Sequence, residues 1–453
     1  MIPTTRRLRV ALVLALAAIT LTGFTPAALA DPPVRRLSGT LPSGASWIAE
    51  APQDWNGVLV LFSHGYNPPD TPNPPENAPG PESAAALLDR GYALAGSSYA
   101  EPGWTLDTAV EDQLATLAAV SDELGTPRRT IALGRSMGGL VTAQLAERAD
   151  ERIDGALAMC GILAGGLGLL DSQLDGAHAL TQLLGVEQLP LVDFTGRAQV
   201  RQVAGKLREA LSAAQSTPEG RARIALAAAL FHAPTWYGDE PRPTRHDWAA
   251  RQAAQYRWLY DTLPFVLAAR YDIEQRAGGN PSTSTGVDYR ALLKQSATRR
   301  LVAELHRDAG LDPRAELSEL TATARVTADP SARDWVQRTS TVTGELAMPM
   351  LTVHTTADGV VPGQFEDAYA DQVRTAGNKP LLRGAYVART GHCTFTPAET
   401  VAAVDAINTR VATGHWAAVA TPESLDAAAE AAQAGDSDYV RYRPGEFLGD
   451  EQR

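Results

Sequence analysis

The sequence has few of the residues that nucleic-acid-binding proteins and metalloproteins need. Its 453 residues include 40 Lys and Arg against 52 Asp and Glu, so the formal net charge is −12, and no basic patch is present. Two cysteines and eight histidines are scattered without the spacing of metal ligands. The glycine-rich stretch at residues 161–168 fits neither the dinucleotide nor the phosphate-loop pattern. We therefore expect no nucleic-acid partner, no metal and no other cofactor.

Long apolar runs are also lacking, because no segment reaches the roughly twenty apolar residues of a membrane-spanning helix. The run at Val10–Ile19 follows three arginines, and Ala28-Leu29-Ala30 precedes Asp31. This pattern is typical of a secretory signal peptide, predicted here at residues 1–30. The mature protein is expected to be secreted and free of the membrane after cleavage. Thr5-Arg6-Arg7-Leu8 leaves both the general and the twin-arginine export routes open.

Cleavage of the signal peptide would make the protein more acidic. Residues 1–30 carry three arginines and no acidic residue, so their removal lowers the net charge from −12 to −15. The excess is spread along the chain, which favours a role in solubility. The mature chain of about 420 residues is long enough for two domains, or for one domain with a large insertion.

One motif points to chemistry. Gly134-Arg135-Ser136-Met137-Gly138 follows the apolar run Thr130–Leu133 and precedes an amphipathic segment over Leu140–Arg148. A Gly-x-Ser-x-Gly motif between a strand and a helix holds its serine on a sharp turn with Oγ exposed. The alternative interpretation is a glycine-rich turn with an incidental serine.

Strand and helix signals alternate around this motif. Strands are predicted at Ser46–Ala49, Gly57–Phe62, Tyr92–Tyr99 and Ile153–Met159, with helices at Glu82–Arg90 and Leu106–Leu124. The alternation returns with a strand at Pro349–His354, a helix at Gln364–Ala376, a strand at Leu381–Ala388, and a capping box at Thr396–Glu399 that starts a helix. Such alternation predicts a parallel sheet with helices on both faces. The tail beyond Thr421 is polar and carries little signal.

Helical signals dominate between Leu163 and Glu345. Helices are predicted over Pro218–Phe231, Trp248–Arg270 and Val287–Ala309. Aromatic residues are concentrated in this segment: Trp236, Tyr237, Trp248, Tyr256, Trp258, Tyr260, Phe265 and Tyr271. We expect most of them to form a core within the segment, and some to line a substrate cavity.

A serine nucleophile needs a base and a carboxylate that orients the base. Asp358 and His392 each follow a predicted strand, where the reactive groups of a parallel sheet gather. The competing candidates are assigned structural roles. His354 is expected in the core and Glu366 and Asp367 on a solvated helix face, and His64 is expected to shape its loop. The remaining histidines of the helical segment, His178, His232, His246 and His306, are expected at the surface or within that segment.

The order Ser136, Asp358, His392, each on a loop after a strand, resembles the α/β-hydrolase superfamily. The resemblance covers roughly Ser46–Leu163 and Leu346–Arg410. It implies an α/β fold whose core comprises residues 31–162 and 346–453. A helical cap at residues 163–345 is then inserted between the sixth and seventh strands.

The resemblance also implies roles for individual residues. Ser136 would be the nucleophile, His392 the general base and acid, and Asp358 the orienting carboxylate. The backbone N–H groups of Met137 and Tyr66 would form the oxyanion hole. The Tyr66 assignment follows from its place after His64-Gly65, since the lipase-type His-Gly-Gly-Gly is absent.

The two cysteines allow one pairing, and an even count in an exported protein favours a disulfide. Cys160 closes the strand after the serine helix and Cys393 follows His392, so a bond between them would pin the histidine loop to the sheet. The alternative is two buried free thiols. Tannases and feruloyl esterases are similar in having a His-Cys pair, but theirs bonds to a cysteine before the nucleophile, where this chain has Arg135.

These observations predict a secreted serine hydrolase that cleaves a carboxylic ester of a small molecule through an acyl-enzyme. A serine peptidase of the prolyl-oligopeptidase type, acting on a peptide, shares the same core and triad order. An acyltransferase would use the same acyl-enzyme, and a non-catalytic scaffold would only bind. The oligomeric state stays open.

The signal peptide can be tested directly. N-terminal sequencing of the protein secreted by its host is expected to begin at Asp31 or a close neighbour, because Ala28-Leu29-Ala30 matches the specificity of signal peptidase. An intact Met1 on the secreted protein would contradict the prediction.

Overall fold

A computed structural model of the protein describes residues 34–448. The predicted signal peptide at residues 1–30 lies outside the described residues, so it stays a prediction. No helix within residues 34–448 combines the length and the apolar character that crossing a bilayer requires.

Nine strands form one sheet. They are β1 (Arg35–Thr40), β2 (Ser46–Ala51), β3 (Val58–Ser63), β4 (Ala93–Ser97), β5 (Arg129–Arg135), β6 (Gly155–Met159), β7 (Met350–Ala357), β8 (Leu382–Thr390) and β9 (Tyr439–Val440). Their spatial order is β1-β2-β4-β3-β5-β6-β7-β8-β9. The six strands from β4 to β8 in this order pair in parallel, whereas β1, β2 and β9 add antiparallel edges.

Fourteen α-helices connect and cover the strands within the described residues. Those outside the long connection are α1 (Pro81–Leu88), α2 (Ala109–Leu124), α3 (Met137–Glu147), α12 (Gln364–Thr375), α13 (Pro397–Thr413) and α14 (Pro422–Ala432). Eight lie between β6 and β7: α4 (Gly165–Leu183), α5 (Arg197–Gln215), α6 (Pro218–Leu230), α7 (Trp248–Ala277), α8 (Tyr289–Gln295), α9 (Arg299–Ala309), α10 (Pro313–Thr323) and α11 (Pro330–Thr339). A 3-10 turn spans Lys379–Leu381.

The central strand β3 shows that the sheet is covered on both faces. All six of its residues are buried. Leu59 and Leu61 join an apolar cluster with α2, α3 and α12, while Val60 and Phe62 join a second cluster with α1, α13 and α14. A third cluster is built from residues of α4 to α10. The predicted α/β fold, with a mostly parallel sheet and helices on both faces, is confirmed.

Two helices differ from their predicted bounds for identifiable reasons. The predicted helix at Val287–Ala309 is divided into α8 and α9, because the Ser296 hydroxyl accepts the Thr298 N–H at 3.2 Å and replaces a helical bond. Helix α7 continues past Pro264 to Ala277. Pro264 has no N–H for the Tyr260 carbonyl, and Arg208 donates to that carbonyl instead, at 2.8 Å.

The polar tail also contains structure that the sequence pattern did not predict. Helix α14 begins at Pro422 with Thr421 as its N-cap, and β9 pairs with β8 at the sheet edge. The capping box at Thr396–Glu399 is present as predicted, with both reciprocal hydrogen bonds formed.

Candidate active site

Ser136 lies at the turn between β5 and α3. Its backbone is in the left-handed region, with φ 57° and ψ −124°. A non-glycine residue in this region carries strain that the surrounding structure must support. The Ser136 N–H donates to the Met159 carbonyl of the neighbouring strand at 3.0 Å, which holds the turn against β6.

The two glycines of the motif are required by the closeness of the backbone. A Cβ on Gly138 would lie 2.0 Å from the Ser63 carbonyl oxygen, and one on Gly134 would lie 2.0 Å from the Gly138 carbonyl oxygen. Helix α3 therefore starts in contact with the end of β3, and only glycine permits that approach.

Three side chains distant in the sequence form a continuous hydrogen-bonded chain. Ser136 Oγ lies 2.8 Å from His392 Nε2, and His392 Nδ1 lies 2.8 Å from Asp358 Oδ2. They follow β5, β8 and β7, parallel strands whose carboxyl ends meet at one edge of the sheet. Because a carboxylate can only accept, His392 donates from Nδ1 and can accept the Ser136 hydroxyl proton at Nε2.

The Asp358 carboxylate is buried and surrounded by donors. Its Oδ1 accepts the N–H groups of Val360 and Val361 at 2.8 and 3.0 Å. Burial by itself raises the pKa of this carboxyl, but His392 and His354 together hold the pKa well below its usual range. Asp358 is therefore ionised at neutral pH.

The two proposed oxyanion donors lie next to the serine. Met137 follows Ser136 directly, and the Tyr66 loop is close to Ser136, since a Cβ on Gly65 would lie 3.8 Å from Ser136 Oγ. Neither the Met137 nor the Tyr66 N–H donates to another group among residues 34–448. Both are thus available to a developing oxyanion.

Cys160 and Cys393 are joined in a disulfide, with Cα atoms 5.5 Å apart. The bond links the end of β6 to the residue after His392. These two cysteines and His392 also form a group whose potential ligand atoms lie within 4.8 Å of one another. Since the sulfurs are bonded to each other, they do not offer the thiolates that a metal would require.

Several side chains at this edge have roles that the sequence did not predict. Glu366, expected on a solvated face, is buried and lies 3.0 Å from His354 Nδ1. His354 is in the core as expected, but it also lies 3.5 Å from Asp358 Oδ2. Burial at the first turn of α12 could not be recognised from the local pattern, because Glu366 and Asp367 read together as a polar face.

The histidines of the long connection divide into two groups. His246 is exposed, whereas His178, His232 and His306 are buried and hydrogen-bonded. None of the four contacts Ser136, His392 or Asp358 through a hydrogen bond among the residues that the structure describes. His64 is buried and stacks on Tyr99 with ring centroids 4.1 Å apart, which fixes the start of the Tyr66 loop.

Helix α7 reaches the edge of the sheet at two points. Trp258 donates its indole N–H to the Gly359 carbonyl, next to Asp358. Phe265 packs edge-on against Tyr66 with ring centroids 6.2 Å apart and remains 42% exposed. Two of the predicted aromatic residues therefore lie at the site, while Trp258 also belongs to the apolar cluster of α4 to α10.

The chain has a similar curated protein and similar solved structures, while no family model matches it. It is 31% identical over 428 residues to an o-phthalyl amidase from Xanthobacter agilis, covering 88% of this chain and 91% of that protein. An esterase from Aspergillus oryzae is 13% identical with a TM-score of 0.43, covering 84% of this chain and 80% of that one. An α/β-hydrolase fold protein from Nakamurella multipartita is 16% identical with a TM-score of 0.33, covering 88% and 98%.

The requirement for glycine at the serine turn predicts a large difference between two alanine substitutions. Gly138→Ala is expected to destabilise the protein by about 3 kcal/mol, or to prevent folding, because its Cβ would overlap the Ser63 carbonyl. Gly205→Ala, at an exposed position of α5 with no atom within 4 Å of its Cβ, should stabilise by up to about 1 kcal/mol. Urea unfolding measures both, and equal midpoints would contradict the close approach.

The disulfide predicts a stability loss on its removal. The Cys160→Ala/Cys393→Ala variant is expected to lose about 2 to 5 kcal/mol, since the bond closes a loop of 233 residues. Reduction with dithiothreitol should lower the Tm of the wild type and leave that of the double variant unchanged. Non-reducing peptide mapping provides the control, and two free thiols in the wild type would refute the bond.

Proposed function

This chain belongs to the α/β-hydrolase superfamily and, within it, to the family of the o-phthalyl amidase, and on that premise we propose that it is a serine hydrolase working through an acyl-enzyme. Ser136 is the proposed nucleophile, His392 the base and acid, and Asp358 the orienting carboxylate. The observation that carries the proposal is the unbroken hydrogen-bonded chain from Ser136 Oγ through His392 to Asp358, with 2.8 Å at each step.

Acylation begins with proton transfer from the Ser136 hydroxyl to His392 Nε2. The Oγ atom forms a bond to the carbonyl carbon of the substrate, and the carbonyl oxygen becomes an oxyanion. The Met137 and Tyr66 N–H groups stabilise that charge. The cationic His392 is stabilised by the ionised Asp358, and it gives its proton to the leaving oxygen or nitrogen as the bond to carbon breaks.

Deacylation repeats the sequence with water. His392 takes a proton from water, and the hydroxide adds to the acyl carbon. The tetrahedral intermediate then collapses, the bond from carbon to Ser136 Oγ breaks, and Oγ recovers its proton from His392. The net reaction consumes one water and releases a carboxylic acid and an alcohol or amine.

The acyl group in this proposal is that of an aromatic or similarly flat apolar carboxylic acid. Phe265 is exposed beside Tyr66, so an apolar surface lies next to a proposed oxyanion donor. A relative named for an o-phthalyl amide favours amides of aromatic acids, while the sequence pattern favours esters. Both bonds are accessible to one acyl-enzyme mechanism, and they differ in the basicity of the leaving group.

Residues 163–345 are proposed to act as a cap that selects the substrate. Helix α7 supports this role, because Trp258 contacts the loop of Asp358 and Phe265 contacts Tyr66. A substrate bound at Ser136 would then meet α7 on one side and the sheet edge on the other.

Secretion is part of the proposal as well. The disulfide between Cys160 and Cys393 is the type of bond that persists in oxidising compartments. It agrees with the signal-peptide pattern at residues 1–30. The proposed substrates are small molecules.

Replacement of the proposed nucleophile provides the test. Ser136→Ala is expected to lower kcat/KM for p-nitrophenyl esters by at least about 10⁴-fold, because the acyl-enzyme can no longer form. A fluorophosphonate should label the wild type, and peptide mapping should place the label on Ser136. Ser216→Ala, at the exposed end of α5, is the matched control and should keep both labelling and turnover.

Matched ester, anilide and phthalyl amide substrates determine the bond that is cleaved. Turnover of the phthalyl amide that depends on Ser136 supports an amidase. Turnover of esters alone supports an esterase, and preferential cleavage of aminoacyl anilides would indicate a peptidase. Equal ester turnover by Ser136→Ala and the wild type would refute the serine mechanism.

A further inference from the structure

A second histidine lies near the Asp358 oxygen that His392 contacts. His354 is completely buried in β7, four residues before Asp358. Its Nδ1 lies 3.0 Å from Glu366 Oε1, and its Nε2 lies 2.9 Å from the Val361 carbonyl oxygen. The same Nε2 lies 3.5 Å from Asp358 Oδ2. His354 therefore stands between two buried carboxylates.

The contacts of this ring indicate its protonation state. A backbone carbonyl can only accept, so Nε2 must carry a proton to bond to Val361. A carboxylate also only accepts, so Nδ1 must carry a proton to bond to Glu366. A ring that donates from both nitrogens is an imidazolium cation. Burial by itself lowers the pKa of His354, but its bonds to Asp358 and Glu366 raise it to about 10.

We propose that His354 and Glu366 are positioning residues that keep Asp358 ionised and correctly oriented, so that the functional unit contains five side chains in series. They are Ser136, His392, Asp358, His354 and Glu366. This inference rests on the proposed function above, because it concerns how the orienting carboxylate is itself held.

Electrostatics gives the reason for the arrangement. Burying a lone carboxylate is unfavourable, and a cation with good hydrogen bonds compensates for the lost hydration. Along the series the charges are negative on Glu366, positive on His354 and negative on Asp358. His392 thus faces a carboxylate whose charge is partly balanced by the His354 cation.

Val361 ties this network to the backbone. Its N–H donates to Asp358 Oδ1, and its carbonyl accepts from His354 Nε2. The turn after β7 is therefore closed around the carboxylate from both sides. Movement of His354 would displace Val361 and the carboxylate that it holds.

Two tyrosines that face Glu366 add no charge to the network. Tyr369 of α12 and Tyr386 of β8 face Glu366, and burial raises the pKa of each well above its usual range, so both stay neutral. The Tyr369 hydroxyl donates to Glu147 at 3.0 Å. Asp367 is half-buried on α12, where burial raises its pKa, and it acts on Tyr386 rather than on His354.

The charge series makes a prediction that a packing role would not make. In His354→Gln the negative charges of Asp358 and Glu366 are no longer balanced by a cation, so the acid limb of the pH profile of kcat/KM should move to higher pH by about 1 unit. Glu366→Gln removes a negative charge and should move that limb down. The double variant restores the original charge sum, so its limb should return close to that of the wild type.

Turnover and binding should respond differently in these variants. Neither His354 nor Glu366 touches the substrate, so kcat is expected to fall while KM changes less than twofold. Acid limbs that coincide in all four proteins would overturn the proposal, as would single-variant shifts that do not cancel in the double variant.

His306 offers a matched control. It is also fully buried, with Nδ1 2.8 Å from the Val302 carbonyl oxygen and Nε2 3.0 Å from Glu316. His306→Gln removes the same kind of buried contact without touching Asp358, so it should lower the Tm and leave the acid limb in place. A shift of the acid limb in His306→Gln would show that the effect is not specific to the network.

Fluorophosphonate labelling separates the two proposals. If Ser136 is labelled and the acid limbs do not move, the positioning role fails and the serine mechanism stands. If the wild type is not labelled, or Ser136→Ala keeps its turnover, the serine mechanism fails before the pH profiles are interpreted.

A measurement on the wild type covers the case in which His354→Gln does not fold. Imidazole ¹⁵N shifts of histidine-labelled protein at pH 8.5 should reveal a ring with protons on both nitrogens, identified as His354 by its change in Glu366→Gln. The His306 ring also faces two acceptors, and its signal is identified by its loss in His306→Gln. A His354 ring with a single proton at this pH would overturn the proposal.

Discussion

The carboxylate of Asp358 is fully buried, and to keep it ionised the fold must supply partners for both of its oxygens. Two backbone N–H groups meet Oδ1, and two histidines meet Oδ2. His392 connects the carboxylate to Ser136, and His354 connects it to Glu366. The surroundings of one buried charge therefore determine the geometry of the whole candidate site.

Parallel strand pairing brings these partners together. Strands β5, β6, β7 and β8 are consecutive neighbours, so the loops that follow them leave the sheet at the same edge. The disulfide joins the end of β6 to the loop after β8 and thus restrains the segment that carries His392. Helix α7 contacts the same edge through Trp258 and Phe265. The sheet, the disulfide and one helix of the long connection all restrict the same few residues.

Much of this arrangement could be predicted from the sequence. Ser136, Asp358 and His392 were recognisable because each follows an apolar run that reads as a buried strand, and their order matches a known superfamily. The capping box at Thr396–Glu399 was recognisable because its chemistry is local. Helix α14 was missed because alanine dominates it and Leu425 is its one large aliphatic side chain, and β9 because it has only two residues. The stability of both depends on packing against α13 and β8.

The sequence by itself determined the fold class, the single possible cysteine pair and the three residues of the candidate triad, because these depend on local periodicity and on order along the chain. Only the tertiary structure decided that His354 lies between two buried carboxylates and that Glu366 faces inward. Their state depends on distances to groups on other elements and on the loss of water around them. Such distances follow from the packing of α12 against β7, which no local pattern encodes.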